Sequence, residues 1–395
     1  MFNFVSKFPS AIDVHPNSRW KQNGLTVAGG NGQGNGINQL SNPCGLYVDD
    51  DQTVYVADRD NHRIVEWKSG ATSVQVVAGG NEKGSGDHQL SYPYDVIVDK
   101  ETDTLIISDN SNRRVVRWPR RNGTSGETII SNINCWGLTM DENGSLYVAD
   151  IRNDEVRRYK KGESQGTVVA GGNGRGNRFD QLSYPRYVFV DRDHSVYVSE
   201  LGNHRVMKWM KGKKEGIIVA GGQGKGNVLT QLSYPKGVVV DQLGTVYVAD
   251  FWNARIMRWP KGATQGSVIV GGNGRGGQSN QLNGPIGLSF DRHGVRIAIY
   301  YNSWTILRLS CFSSIGLLCT YMFFFSSSCC CLFSIKGGRT TVARREPNPT
   351  SFFFIVSIVT DPNNGTLAGF LLNIFIIYYY CCYYLKKKSS PKRIY

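Results

Sequence analysis

The chain has 395 residues, 40% hydrophobic and 19% charged, with a formal net charge of +14 at neutral pH. Residues 1–309 carry 36 Lys and Arg against 29 Asp and Glu, and residues 310–395 carry 9 against 2, so the body is only mildly basic and the nucleic-acid signal of the total is weakened. Only Cys44 and Cys135 lie in the body and no CxxC pair has zinc spacing, which excludes a disulfide framework and leaves no cofactor or metal to expect.

The opening MFNFVSKFPSAIDVHPNS lacks an apolar core long enough for a signal peptide, and residues 1–24 read as an N-terminal extension. From residue 25 the chain repeats itself. YVAD or a close variant ends at Asp58, Asp109, Asp150, Glu200 and Asp250, and a glycine string of the form A/V-G-G-N/Q-G-x-G starts at residues 28, 78, 170, 220 and 270. One interval is 41 residues instead of about 50, because the second unit ends ETIISNINCWG without the glycine loop.

Each unit reads as four short strands, here called a to d. In the fifth, GVVVD (237–241) is followed by TVYVAD (245–250), ARIMRW (254–259) and GSVIVGG (266–272). Alternating β-branched and aromatic residues broken by turns are the strand pattern. A four-stranded unit of about 50 residues buries both faces only by radial stacking, which is a propeller. Starts of strand a fall at Gly45, Asp95, Gly137, Tyr187, Gly237 and Gly287, so the expectation is an all-β, six-bladed β-propeller over residues 25–309. The sixth unit stops near Leu309, and LTVAGG (25–30) is expected to supply its missing fourth strand and close the ring.

The pattern P-x-G-h-x-h-D, a turn, h-Y-V-A-D, then N-H-R-h resembles the NHL repeat, as in PCGLYVD…YVADRDNHRI and PKGVVVD…YVADFWNARI. Kelch repeats have a similar period but lack YVAD-x-x-N-x-R, and long rotifer-type NHL proteins with AGGNGxG linkers are especially similar. The resemblance implies an NHL propeller related to the substrate-recognition ends of RING or tripartite-motif ubiquitin ligases. It also implies relatives that bind single-stranded RNA on a basic face, and peptide-amidating lyases with metal-binding histidines at the channel.

After Leu309 the composition turns to Phe, Ser, Cys, Tyr, Ile and Leu, so residues 310–395 form a separate apolar tail. Residues 311–335 and 368–385 carry no charge and are long enough for membrane segments. Clusters such as FFFSSSCCC and YYYCCYY fit translated non-coding sequence equally. A genuine tail implies a membrane protein, and otherwise the cytoplasm is expected.

Five glycine strings between strands are inter-blade turns, because a phosphate loop sits between a strand and a helix. The acid of YVAD and the Asn three residues on (Asp58 with Asn61, Asp109 with Asn112, Asp150 with Asn153, Asp250 with Asn253) recur in most blades. They are expected to cap the b–c turn, with Arg63, Arg114, Arg205 and Arg255 pairing to the acids. His62 and His204 share a repeat slot, His194 and His293 fall in a–b hairpins, and no G-x-S-x-G elbow is present, so no active site is expected.

Slots that differ between repeats are free for a ligand. Before the strand-a start stand Cys44, Tyr94, Trp136, Arg186, Lys236 and Ile286, and after the YVAD acid the fifth blade has Phe251 and Trp252. The d–a and b–c loops share one face, which also carries Lys83, Arg175, Lys225 and Arg275 from the glycine loops. The candidate binding residues are Tyr94, Trp136, Arg186, Lys236, Phe251, Trp252, Lys83, Arg175, Lys225 and Arg275. The expected function is that of a non-catalytic, monomeric binding scaffold for a protein or peptide, with RNA as the alternative partner.

Overall fold

In the computed structural model the backbone is described for residues 19–20, 24–69, 74–278, 280–291, 296–300, 305–309, 311–312, 332–336 and 339–343, and the side chains for 20, 24–69, 74–278, 280–291 and 305–309. Residues 1–321 and 322–395 are two compact units.

The first unit is an all-β propeller. Five of its sheets are built from four consecutive strands, and blade five runs Pro235–Val240, Val246–Asp250, Arg255–Trp259, Ser267–Gly271 from the axis outward. A further four-stranded sheet is composite. Pro285–Phe290, Arg296–Tyr300 and Thr305–Leu309 form its inner part, and Leu25–Gly29 from the other end of the chain pairs antiparallel with Thr305–Leu309. Ala28 stands opposite Ile306 in that pairing, and both are buried. Two 3₁₀ turns, Arg59–Asn61 and Asn110–Asn112, make b–c corners.

Strand b is buried along its whole length in blades one and three to five, as VYVAD, LYVAD, VYVSE and VYVAD. Blade packing covers both its faces, so its run of apolar residues replaces simple alternation. Near its end strand c carries a large buried aromatic (Trp67, Trp118, Tyr159, Trp209, Trp259), each wedged between its own blade and the one before it in the ring. Burying one such side chain is worth about 1.5–3 kcal/mol.

The first position of strand a decides how closely the blades meet at the axis. A Cβ on Gly237 would lie 2.6 Å from the Ile286 carbonyl, and one on Gly287 would lie 2.8 Å from the Cys44 carbonyl. The second contact joins the composite sheet to blade one and closes the ring, which leaves no exposed inner strand. Asp95 and Tyr187 hold this slot in blades two and four, and each faces a glycine. A Cβ on Gly45 would collide with the Asp95 carboxylate, and one on Gly137 would lie 2.7 Å from the Tyr187 Cα.

The repeated acids do more than cap a turn. In blade one Asp58 accepts from the Ser41 amide (2.7 Å), Asn61 Nδ2 (2.8 Å) and Arg63 Nε (2.8 Å). The Arg63 guanidinium then donates to the carbonyls of Asn35, Gly36 and Gln39 in the preceding glycine loop. Asp109 with Arg114, Glu200 with Arg205 and Asp250 with Arg255 repeat the arrangement. The acid therefore ties its blade to the d–a loop, correcting the expectation of a simple b–c cap. Blade three is the exception that explains the rule. No glycine loop precedes it, Glu155 stands where the arginine would be, and Asp150 caps its own turn through the amides of Arg152 and Asn153 (3.0 and 3.4 Å).

Past Leu309, Cys311–Phe312 pairs with Arg19–Trp20. In the second unit Leu332–Lys336 and Arg339–Ala343 form a hairpin. The described parts of the 311–335 segment, 311–312 and 332–335, are strands, and the rest of it and residues 368–385 lie outside the described residues. No helix among the described residues is long and apolar enough to cross a membrane.

Candidate functional site

The d–a and b–c loops meet on one face. Asn61 Nδ2 donates to the Gly34 carbonyl at 2.8 Å, and Arg275 donates to the carbonyls of Phe251 and Trp252 at 3.3 and 3.2 Å. Around the axis on this face, Tyr94 and Trp136 stack with ring centroids 3.8 Å apart, and the Arg186 guanidinium lies 3.8 Å over the Trp136 ring. Arg186 Nε and Nη1 are buried without a hydrogen-bond partner, and burial lowers its affinity for a proton. The Lys236 ammonium sits 3.6 Å from the centre of the Phe251 ring. Burial first, and then Arg186, Arg59 and Arg275, push its pKa down to about 8, against an opposing effect of Cys44. The Cys44 thiol is itself driven up to about 11 by burial, so it stays protonated.

The ten candidate residues therefore separate into two groups. Tyr94, Trp136, Arg186, Lys236 and Phe251 converge at the axis. The four glycine-loop cations and Trp252 lie further out, each cation against an aromatic ring. Lys83 stands 4.7 Å over Tyr92, Lys225 4.7 Å over Tyr234 and Arg275 4.6 Å over Trp252. Arg175 stacks 3.9 Å over Tyr184 and donates to Asp154 at 2.8 Å. All four remain exposed to solvent.

Two sets of residues were not anticipated. Arg59, just after the YVAD acid of blade one, reaches between Tyr92 and Tyr94 at 5.4 and 5.3 Å. The tyrosines of Ser-Tyr-Pro (Tyr92, Tyr184, Tyr234) take a left-handed backbone at φ of 51–52° and supply the outer rings. The histidine slot supports them. His62 Nδ1 accepts from the Tyr92 amide and His204 Nδ1 from the Tyr234 amide, both at 3.2 Å, and Asp154 does the same for Tyr184. Burial, then Lys83 or Lys225, lowers both histidine pKa values and keeps these acceptors neutral.

On the opposite face, where the a–b hairpins lie, the axis opens into a cavity of about 390 Å³. Sequence reasoning passed over it. At its inner end Asp95 accepts one backbone amide on each oxygen, from Val96 (3.0 Å) and Leu138 (2.8 Å). Burial raises the Asp95 carboxyl to about 8, because two amides do not replace the water it has lost. Among the described residues no three His, Cys, Asp or Glu side chains are grouped to hold a metal ion.

No curated relative matches the chain in sequence. Among solved structures, the fold is similar to a protein of unknown function from Bacteroides thetaiotaomicron (18% identity, 74% of this chain and 77% of that one, TM-score 0.61). It is also similar to an auxiliary nutrient binding protein from the same organism (17%, 74% and 77%, TM-score 0.59). A gluconolactonase from Xanthomonas campestris shares it too (13%, 76% and 96%, TM-score 0.52). At these identities the likeness is one of fold, reaching binding proteins and enzymes alike. The NHL repeat family matches residues 40–67 and 232–258, which span strands a, b and c of blades one and five. The chain is a β-propeller with matches to the NHL repeat in blades one and five.

Proposed function

We propose that the propeller is a non-catalytic binding scaffold whose d–a/b–c face receives a segment of a partner protein, with an acidic group of that segment held at the axis. The observation that carries this reading is the Tyr94–Trp136–Arg186 stack, a half-buried aromatic pair under a guanidinium whose Nε and Nη1 have no protein partner. Trp, Tyr and Arg in a desolvated pocket are the groups that dominate protein interfaces. A docked carboxylate would give the guanidinium its missing acceptors and relieve the crowding of Arg59, Arg186, Lys236 and Arg275. The glycine-loop cations, each on its own ring, favour a protein over a nucleic-acid strand. A place beside a ubiquitin ligase rests on the family resemblance alone.

The test is selection of peptides from a random display library on the immobilised full chain, with single-stranded RNA mobility shifts at two salt concentrations in parallel. Enriched acidic peptides whose binding falls at least tenfold in Trp136→Ala and Arg186→Ala are expected. An RNA shift that weakens steeply with salt, with no peptide enriched, overturns the proposal.

A further inference from the structure

The cavity on the a–b hairpin face is a second concave site with a chemistry opposite to that of the loop face. Its walls follow from strand period two. Two residues beyond the axis slot, strand a presents Tyr47, Ile97, Thr139, Phe189, Val239 and Ser289, one from each sheet, and all six line the cavity. This collar is apolar and aromatic with hydroxyls interspersed. At its inner end lies Asp95, only 4% exposed, whose two oxygens take one amide each. A carboxyl oxygen has room for a second donor, and among the described residues no cation is hydrogen-bonded to this one. Four other buried acids of the ring, Asp58, Asp109, Glu200 and Asp250, are each held by an arginine.

The outer lining carries Asp99, Glu101, Asp141 and Glu142 against Lys100, and the lysine is occupied by Asp50 at 2.8 Å. Cavity and acidic entrance therefore favour the same sign of ligand charge. The volume falls within the range of small-molecule sites.

We propose that this cavity binds a small amphiphilic amine, with its ammonium on Asp95 and its hydrocarbon part against Ile97, Phe189 and Val239. Such a ligand supplies the donor that the carboxyl lacks and covers the apolar collar. The site is separate from the loop face and does not depend on what that face binds.

The test is calorimetric titration of the full chain with hexylamine, hexanol and hexanoate. Hexylamine is expected to bind at least tenfold more tightly than hexanol, with hexanoate weakest. Asp95→Asn is expected to abolish the preference for amine over alcohol. Val239→Trp, which fills the cavity and leaves the acid in place, is expected to weaken both, and Arg186→Ala on the other face to change neither. Equal affinity for hexylamine and hexanol in the unmodified chain overturns the proposal even if Asp95→Asn fails to fold. Amine binding that survives Val239→Trp overturns it as well.

Discussion

Asp95 should make the propeller less stable as pH rises, which is the reverse of a salt-bridged carboxylate. Its pKa is about 8 in the folded chain against 3.8 for an ordinary aspartate. The folded state therefore holds the proton more tightly than the unfolded one. The stabilisation is complete below pH 4 and is lost as pH rises towards 8, at about 1.4 kcal/mol per pH unit in between. From pH 5 to pH 7 the loss from this one group is about 3 kcal/mol. The ionisable groups facing it, Cys44 and Tyr187, are both raised by burial and do not titrate in that window. Urea unfolding of the full chain and of Asp95→Asn, followed by tryptophan fluorescence at pH 5, 6 and 7, isolates the effect. Asn cannot accept both amides, so the variant carries a constant cost, and the readout is the pH slope of the difference. The difference between the two proteins should shift by about 3 kcal/mol over the range. Parallel profiles would mean that the carboxyl ionises normally, and the account of a dry, unpaired Asp95 would be wrong.

Two other expectations concern the scaffold. Arg205→Ala strands the buried Glu200 carboxylate and frees three loop carbonyls, and should cost about 3–5 kcal/mol in urea unfolding. The double replacement Glu200→Gln with Arg205→Met should recover part of that, and simple additivity would refute a coupled pair. A chain starting at Asn31 loses Leu25–Gly29 and leaves Thr305–Leu309 without its outer partner, so its melting temperature should fall by far more than a few degrees. A melt within a few degrees of the intact protein would show that this strand does not hold the ring together.

The blades were legible because each contact that builds them recurs at a fixed interval, as in YVAD and the glycine strings. The Asp58–Arg63 pair could be read for the same reason, although its true target, the carbonyls of a loop about 27 residues upstream, could not. The search for a ligand face through slots that vary between repeats found Trp136 and Arg186. That criterion discarded Tyr92, Tyr184 and Tyr234 because they recur, although they contribute the outer rings. The cavity was invisible for a different reason. Its walls come from Tyr47, Ile97, Thr139, Phe189, Val239 and Ser289, spread over more than 240 residues, and only ring closure brings them together. In the tail, an uncharged run of membrane length can be read from the sequence, but its interior lies outside the described residues.

Blade three also says how such a ring can change. The arginine at the head of strand c has nothing to hold once the glycine loop is gone, and at position 155 both are absent while the Asp150 carboxylate serves its own corner. The reverse does not hold, because the loop before the composite sheet keeps its turn, with Gln281 donating to the Asn273 carbonyl at 3.0 Å, although Thr305 fills the arginine slot. The tether is thus needed only where its loop is present, so a second blade shortened by its glycine loop should tolerate loss of its arginine as well.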